Sequence, residues 1–212
     1  MRDEDARWCL VVPVKRLAVA KTRLGPPYDT HRRELAMAFA LDTTLAALAS
    51  DAVRAVLVVT DEPEAAELLA AAGADVVDDE PDAGLNPALA HGAEVAASAH
   101  PGCGVGALSA DLPALRRDEL SLSLDRAAGH DRSFLRDAAG TGTTLVLSRD
   151  LAAFRPAYGP DSARRHTQAG FAELEGDDLP SVRHDVDTSA DLALAALLGV
   201  GMHTARLLER LG

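Results

Sequence analysis

Lysine is almost missing from this chain: of its 21 cationic side chains, all but Lys15 and Lys21 are arginine. Aromatic residues are scarce too, at 3% of 212 positions, so the core must be built mostly from small aliphatic side chains, chiefly Ala and Leu, carried on helices. There are two cysteines, Cys9 in an apolar run and Cys103 in a Gly-rich turn. Neither sits in a metal-ligand spacing, so both are read as reduced thiols and a structural disulfide is not expected. No apolar run approaches the roughly 18 residues of a membrane span. The stretch Met1–Arg7 carries acids where a secretory signal would carry positive charge. A soluble, cytoplasmic protein with no membrane partner is expected. A basic excess is also lacking. The formal net charge of −12 argues against a general nucleic-acid binder, which needs a basic face to neutralise phosphates.

What is present is an alternation of strand-length and helix-length patterns. Trp8 to Val14 is a continuous apolar run, followed by a polar loop and a helical pattern from about His31 to Ser50. The theme repeats: a Val-rich strand at Val53 to Thr60, a helix at Pro63 to Ala72, and a short strand at Ala74 to Val77. Then come a helix at Asn86 to Ala99 and a strand at Val105 to Ser109. The second half reads as a helix at Arg116 to Ala128, strands near Ser133 to Arg136 and Thr143 to Leu147, a strand at Val182 to Val186, and a helix at Thr188 to Leu198. The length suits one domain over 1–212. The expected fold is α/β: a three-layer α/β/α sandwich around a mixed, mainly parallel sheet.

Two common nucleotide fingerprints are absent. No Gly-x-Gly-x-x-Gly follows the first strand, and there is no Gly-x4-Gly-Lys-Ser/Thr. The first strand leads instead into Lys15-Arg-Leu-Ala-Val-Ala-Lys-Thr-Arg-Leu24, where both lysines sit with Arg16 and Arg23 at a sheet edge that suits phosphate. Asp111 lies just beyond a strand, where ligands of open α/β sheets gather. In Asp185-Val-Asp187, alternate residues of an extended chain share a face, so the two carboxylates can converge. Three such acids suit a hard cation such as Mg²⁺. The competing reading makes Asp187 the N-cap of the helix that follows, and Asp111 the cap of a turn with Pro113. Two further stretches look like anion cradles: Gly140-Thr-Gly-Thr-Thr144, and Gly159-Pro-Asp-Ser162 running into Arg164, Arg165 and His166. Each taken separately could be only a hairpin or a helix start. The other histidines show no ligand spacing and read as surface or capping groups.

Taken in order, several of these segments carry a resemblance. They are Val14-Lys-Arg-Leu-Ala-Val-Ala-Lys-Thr-Arg-Leu24, Leu85-Asn86, Asp111-Leu-Pro113, Arg132-Ser-Phe134, Gly140-Thr-Gly-Thr143, Gly159-Pro-Asp-Ser162 with His166, and Asp185-Val-Asp-Thr188. Over nearly the whole chain the sequence resembles the phosphoenolpyruvate/2-phospho-L-lactate guanylyltransferase family of coenzyme F-420 biosynthesis. The resemblance implies a fold similar to nucleotide-sugar-type nucleotidyltransferases. It also implies transfer of GMP from GTP to the phosphate of phosphoenolpyruvate or 2-phospholactate, with release of pyrophosphate.

By the same resemblance Asp111, Asp185 and Asp187 would bind Mg²⁺, and Thr143, Gly159 and Ser162, with His166 nearby, would hold the acceptor. Lys15, Arg16, Lys21, Arg23, Leu85 and Asn86 would lie on the nucleotide side, and Lys15, Lys21 and Arg23 would join Asp111 in neutralising charge during transfer. One departure is visible: Ala110 precedes Asp111 where the family often has Gly. Two other readings compete, a GTP-binding sensor without catalysis and a sugar-1-phosphate or molybdopterin-type nucleotidyltransferase. The second would be expected to carry a Gly-rich loop after the first strand.

Overall fold

The computed structural model describes residues 8–14 and 23–211. Lys15, Arg16 and Lys21, expected on the nucleotide side, lie outside the described residues.

Seven strands form one sheet in the order β3-β2-β1-β4-β6-β5-β7. They are β1 (Trp8–Pro13), β2 (Val53–Val59), β3 (Asp75–Val77), β4 (Gly104–Leu108), β5 (Arg132–Arg136), β6 (Thr143–Ser148) and β7 (Ala172–Glu173). Strand β1 pairs in parallel with β2 and β4, β2 with β3, and β5 with β7, while β6 runs antiparallel to both β4 and β5. The sheet is therefore mixed and mainly parallel, with β6 alone reversed.

The continuous apolar runs are explained by burial on both faces, since successive side chains of a strand point to opposite sides. Leu10 and Val12 of β1, Val56 and Val58 of β2, Leu108 of β4 and Leu145 and Leu147 of β6 join one core. That core is covered by α1 (Arg32–Leu48), α2 (Pro63–Ala71) and α4 (Arg117–Ala127) through residues such as Met37, Leu41, Leu69, Leu120 and Leu124. Their alternates Cys9, Val11, Leu57, Val59, Ala107 and Val146 face the other layer, α3 (Leu85–Ala99) and α5 (Ser162–Gln168). Helix α3 lies unusually close to the sheet. A Cβ added at Gly92 would stand 2.6 Å from Val11 and 2.7 Å from Val59, so only glycine fits there. The result is the expected three-layer sandwich.

The remaining helices are α6 (Pro180–Arg183), α7 (Ser189–Leu198) and α8 (Met202–Leu211). Helix α8 packs on α1 through Leu207, and buried Asp42 of α1 accepts hydrogen bonds from the His203 and Thr204 N–H groups at its start (3.0 and 2.8 Å). The observed bounds follow the hydrophobic pattern to within a residue or two, with one correction. Val182 to Val186 is not a strand: Pro180–Arg183 is a short helix and 184–188 is an irregular extended segment. Pro180 supplies the fixed φ that opens a helix, and the Val182-x-x-x-Val186 spacing is too short to separate the two periods. Cys9 and Cys103 are both free thiols, as expected, and burial pushes the Cys9 thiol up to about 12. Among the described residues no helix is long and apolar enough to cross a membrane.

Candidate active site

Two loops beyond the sheet carry the predicted metal ligands. After β4 the chain runs through Ser109 and Ala110 to Asp111, and its backbone is held there by Thr43, a buried residue of α1. The Thr43 hydroxyl donates to the Ala110 carbonyl (3.3 Å) and accepts from the Leu112 N–H (3.1 Å). The 184–188 segment joins from the side, its Val186 N–H donating to the Asp111 carbonyl (3.0 Å). The polypeptide around Asp111 is thus secured by Thr43 and by the Val186 N–H. Ala110 causes no strain: among described non-glycine residues only Asp82 and Asp161 have positive φ, so its Cβ is accommodated at an ordinary angle.

The alternative reading of Asp187 as a helix cap fails on the observed hydrogen bonds. Thr188 is the N-cap of α7, its hydroxyl accepting from the Asp191 N–H (3.2 Å), while the Asp191 carboxylate accepts from the Thr188 N–H (2.7 Å). This reciprocal capping box satisfies the helix end without Asp187. Asp191 also accepts from the Asp187 N–H (3.2 Å), so the cap fixes the backbone that presents Asp187.

Electrostatics brings the acids into one neighbourhood. Burial first, then the negative charges of Asp111, Asp137 and Asp187, push the Asp185 carboxyl up to about 7. Asp137 was not singled out from the sequence, although its place between β5 and the Gly140 turn is a strand-end position like that of Asp111. The exposed Arg23 guanidinium donates to the Asp187 carboxylate (2.9 Å). The oxygens of Asp111, Asp185 and Asp187 do not all approach within 4.8 Å of one another. Among the described residues the set that does is Asp61, Asp79 and Asp82, at the ends of β2 and β3.

The two cradles that are separate in sequence form one structure. The Ser162 hydroxyl donates to Thr143 Oγ1 (3.1 Å), and the Ala163 N–H donates to the Thr141 carbonyl (3.2 Å). Gly159 turns the chain with φ 122°, an angle that disfavours any side chain, and the Arg165 guanidinium folds back onto the Pro160 carbonyl beside it. The Thr141 N–H donates to Asp137 Oδ1 (3.0 Å), which ties this cradle to the acid cluster. Tyr158 ties it a second way. Its hydroxyl donates to the Ala107 carbonyl of β4 (2.9 Å), and burial, aided by the Asp111 charge, raises its pKa.

His166 has no exposed surface and lies beneath the cradle, with Nδ1 3.0 Å from Thr143 Oγ1 and Nε2 accepting from the Ala157 N–H (2.9 Å). Leu85 and Asn86 open α3, whose N-terminal end carries the positive pole of the helix. Leu85 packs on the apolar core, and the Asn86 carboxamide bonds to the Tyr158 backbone, so the start of α3 meets the segment leading to Gly159 and Ser162.

An anion cradle of hydroxyls and N–H groups beside clustered carboxylates is an arrangement for a phosphorylated ligand next to a cation. Comparisons with known proteins place the chain in a family. The sequence model of the family described as "Guanylyl transferase CofC like" matches residues 8–212. A relative from Thermomonospora curvata, named phosphoenolpyruvate guanylyltransferase, is 54% identical over 209 residues, covering 99% of this chain and 92% of the relative. Among solved structures, a protein of Desulfovibrio desulfuricans G20, provisionally named a nucleotide-diphospho-sugar transferase, superposes with a TM-score of 0.68 at 17% identity, covering 96% of this chain and 95% of that one. The manganese complex of a Mycobacterium tuberculosis protein superposes with a TM-score of 0.53 at 21% identity, covering 90% and 97%. At such identities the structural matches establish the fold.

Proposed function

The chain belongs to the CofC-like guanylyl transferases, and on that premise we propose that it transfers GMP from GTP to the phosphate of phosphoenolpyruvate as a step of coenzyme F-420 biosynthesis. 2-Phospholactate, which differs from phosphoenolpyruvate only at the C2–C3 bond and its hydrogens, is the alternative acceptor. The observation that carries the reading is the fusion of the Thr143 and Ser162 turns into one cradle, joined through Thr141 and Asp137 to the acids.

An ionised phosphate oxygen of the acceptor attacks the α-phosphorus of GTP. A P–O–P bond forms there while the bond to the β-phosphate oxygen breaks, and pyrophosphate leaves with that electron pair. The nucleophile is already an anion, so no general base is needed. The task of the protein is to bring two polyanions together and hold them in line. Thr143, Gly159 and Ser162 hold the acceptor. Arg23, with Lys15, Arg16 and Lys21, offsets phosphate charge, and the start of α3 at Leu85 and Asn86 borders the nucleotide.

The donor set at Asp111, Asp185 and Asp187 is all carboxylate oxygen, and Asp185 is left with raised proton affinity by burial and then by its acidic neighbours. Mg²⁺ takes one or two carboxylates and completes its shell with water and phosphate oxygen, so it does not need all three acids in mutual contact, and it is the ion we assign. When bound, Mg²⁺ neutralises phosphate-oxygen charge. The Arg23–Asp187 ion pair holds that carboxylate at the cluster and leaves an exposed guanidinium beside it for phosphate. We assign the whole of 1–212 to one nucleotidyltransferase domain.

The test is pyrophosphate release in the presence of Mg²⁺ with each of the four nucleoside triphosphates and either acceptor. Release with GTP and phosphoenolpyruvate is expected, and silence with every pair would overturn the proposal.

A further inference from the structure

His166 is wholly buried on α5, with the rings of Phe134, Tyr158 and Phe171 at centroid distances of 5.5, 5.8 and 5.5 Å. A histidine enclosed by aromatic rings is usually a packing residue, but here both ring nitrogens are engaged. The Ala157 N–H can only donate, so Nε2 must accept. Burial, with a smaller contribution from the nearby Arg165 charge, lowers the His166 pKa to about 4, so the ring is neutral at pH 7 and has one N–H. That proton is on Nδ1 and is shared between Thr143 Oγ1, 3.0 Å away, and the main-chain carbonyl of Ser162.

Thr143 Oγ1 also accepts from the Ser162 hydroxyl (3.1 Å). A hydroxyl oxygen has two acceptor positions and one proton to give. Both acceptor positions are filled, and among the described residues Thr143 makes no hydrogen bond as a donor through this hydroxyl. Its proton is left for a ligand. Two donors feeding one hydroxyl also polarise it and strengthen the bond it then gives.

We propose that His166 is a positioning residue that, with Ser162, turns Thr143 into an obligate hydrogen-bond donor aimed at an anionic oxygen of the acceptor. The inference rests on the acceptor cradle assigned above and deepens it. A donor-only hydroxyl selects phosphate or carboxylate oxygen over groups that must themselves donate. The first half of the device is the ring tautomer, which exists without any ligand.

The experiment has two arms. Ring ¹⁵N shifts of His166 in the wild-type protein should show protonated Nδ1 and bare Nε2; the opposite tautomer would overturn the inference whatever the turnover. In the kinetic arm, His166→Phe keeps an aromatic ring in the aromatic pocket, and Thr143→Val keeps the shape of Thr143. Each should raise the KM for phosphoenolpyruvate roughly ten- to hundredfold, the cost of a hydrogen bond to a charged group, while the KM for GTP changes less than about twofold. The double variant should be no worse than the poorer single. A folded His166→Phe protein with an unchanged acceptor KM, or with both KM values raised alike, would overturn the role of His166 alone. Absence of transfer by the wild type would instead count against the proposed reaction, and the tautomer would still decide the inference.

Discussion

The carboxamide of Asn86 grips both main-chain polar groups of Tyr158: Oδ1 accepts from the Tyr158 N–H (2.8 Å) and Nδ2 donates to the Tyr158 carbonyl (3.1 Å). A residue at the start of α3 thereby fixes the segment that runs directly into Gly159 and Ser162. Asn86→Ala leaves two partly buried backbone groups without these partners, which should lower stability by about 1–3 kcal/mol. The KM for phosphoenolpyruvate should rise about tenfold or more, and by a larger factor than the KM for GTP. Steady-state kinetics with each substrate varied in turn checks this; a rise confined to GTP would place Asn86 on the nucleotide alone.

Asp111→Asn keeps the size of the side chain and removes its charge, and the loop backbone is held by Thr43 and Val186. The variant should lose at least about a hundredfold in turnover, on the scale of removing one strong electrostatic contact to the transition state. Its melting temperature should stay within a few degrees of wild type. Pyrophosphate release and a thermal melt measured on one sample decide the matter, and near-normal transfer would remove Asp111 from the site.

Asp185 gives a pH signature. Its folded pKa is raised to about 7 against an ordinary 3.8, by burial and then by Asp111, Asp137 and Asp187. The folded state therefore binds the proton more tightly than the unfolded chain. That contribution to stability is complete below about pH 4 and fades as pH rises to about 7. Without divalent cations, Asp185→Asn should melt higher than wild type above pH 7 and lack this component. Added Mg²⁺ should raise the wild-type melting temperature at pH 8 and leave the variant nearly unmoved. An equal shift in both proteins would separate Asp185 from the cation.

Asp191 tests whether the cap of α7 serves the site as well as the helix. Asp191→Ala removes the acceptor for the Thr188 and Asp187 N–H groups, and the lost cap alone should cost about 1 kcal/mol. If the cap also presents Asp187, turnover at saturating substrates should fall severalfold and the Mg²⁺ concentration for half-maximal rate should rise. A destabilised variant with unaltered metal dependence would limit the cap to α7.

Much of this arrangement was legible in the sequence because its strands are buried on both faces and its helices are long. Trp8–Pro13 reads as an unbroken apolar run and Val53–Val59 as a Val-rich one, and Asp111 could be placed at a strand end from β4 alone. The pattern failed where an element is too short to have a period, and it did not assign the ten-residue helix Met202–Leu211 either. Pro180–Arg183 has one turn, and Ala172–Glu173 was not anticipated because it has only two residues. At the site, residue type pointed to Asp185 and Asp187 but could not separate metal ligand from helix cap. The capping box of Thr188 and Asp191 resolves the cap, and it was readable as Thr188-x-x-Asp191. Nothing local pairs Thr143 with Ser162, or Asn86 with Tyr158, because those contacts join segments 19 and 72 residues apart.

The single reversed strand of the sheet has one more effect. Where the parallel strands leave the sheet, β6 enters it, and the Ser109 N–H donates to the Thr144 carbonyl (2.8 Å) as the two chains pass. A strand's beginning thus stands beside a strand's end, and Thr143 faces the same rim as Asp111. The turn at 137–142 that feeds Thr143 belongs to a hairpin, while the loops bearing Asp111, Asp185 and Asp187 belong to other connections. Asp137, in the hairpin itself, is therefore the point where a substitution in the cradle would also reach the acids.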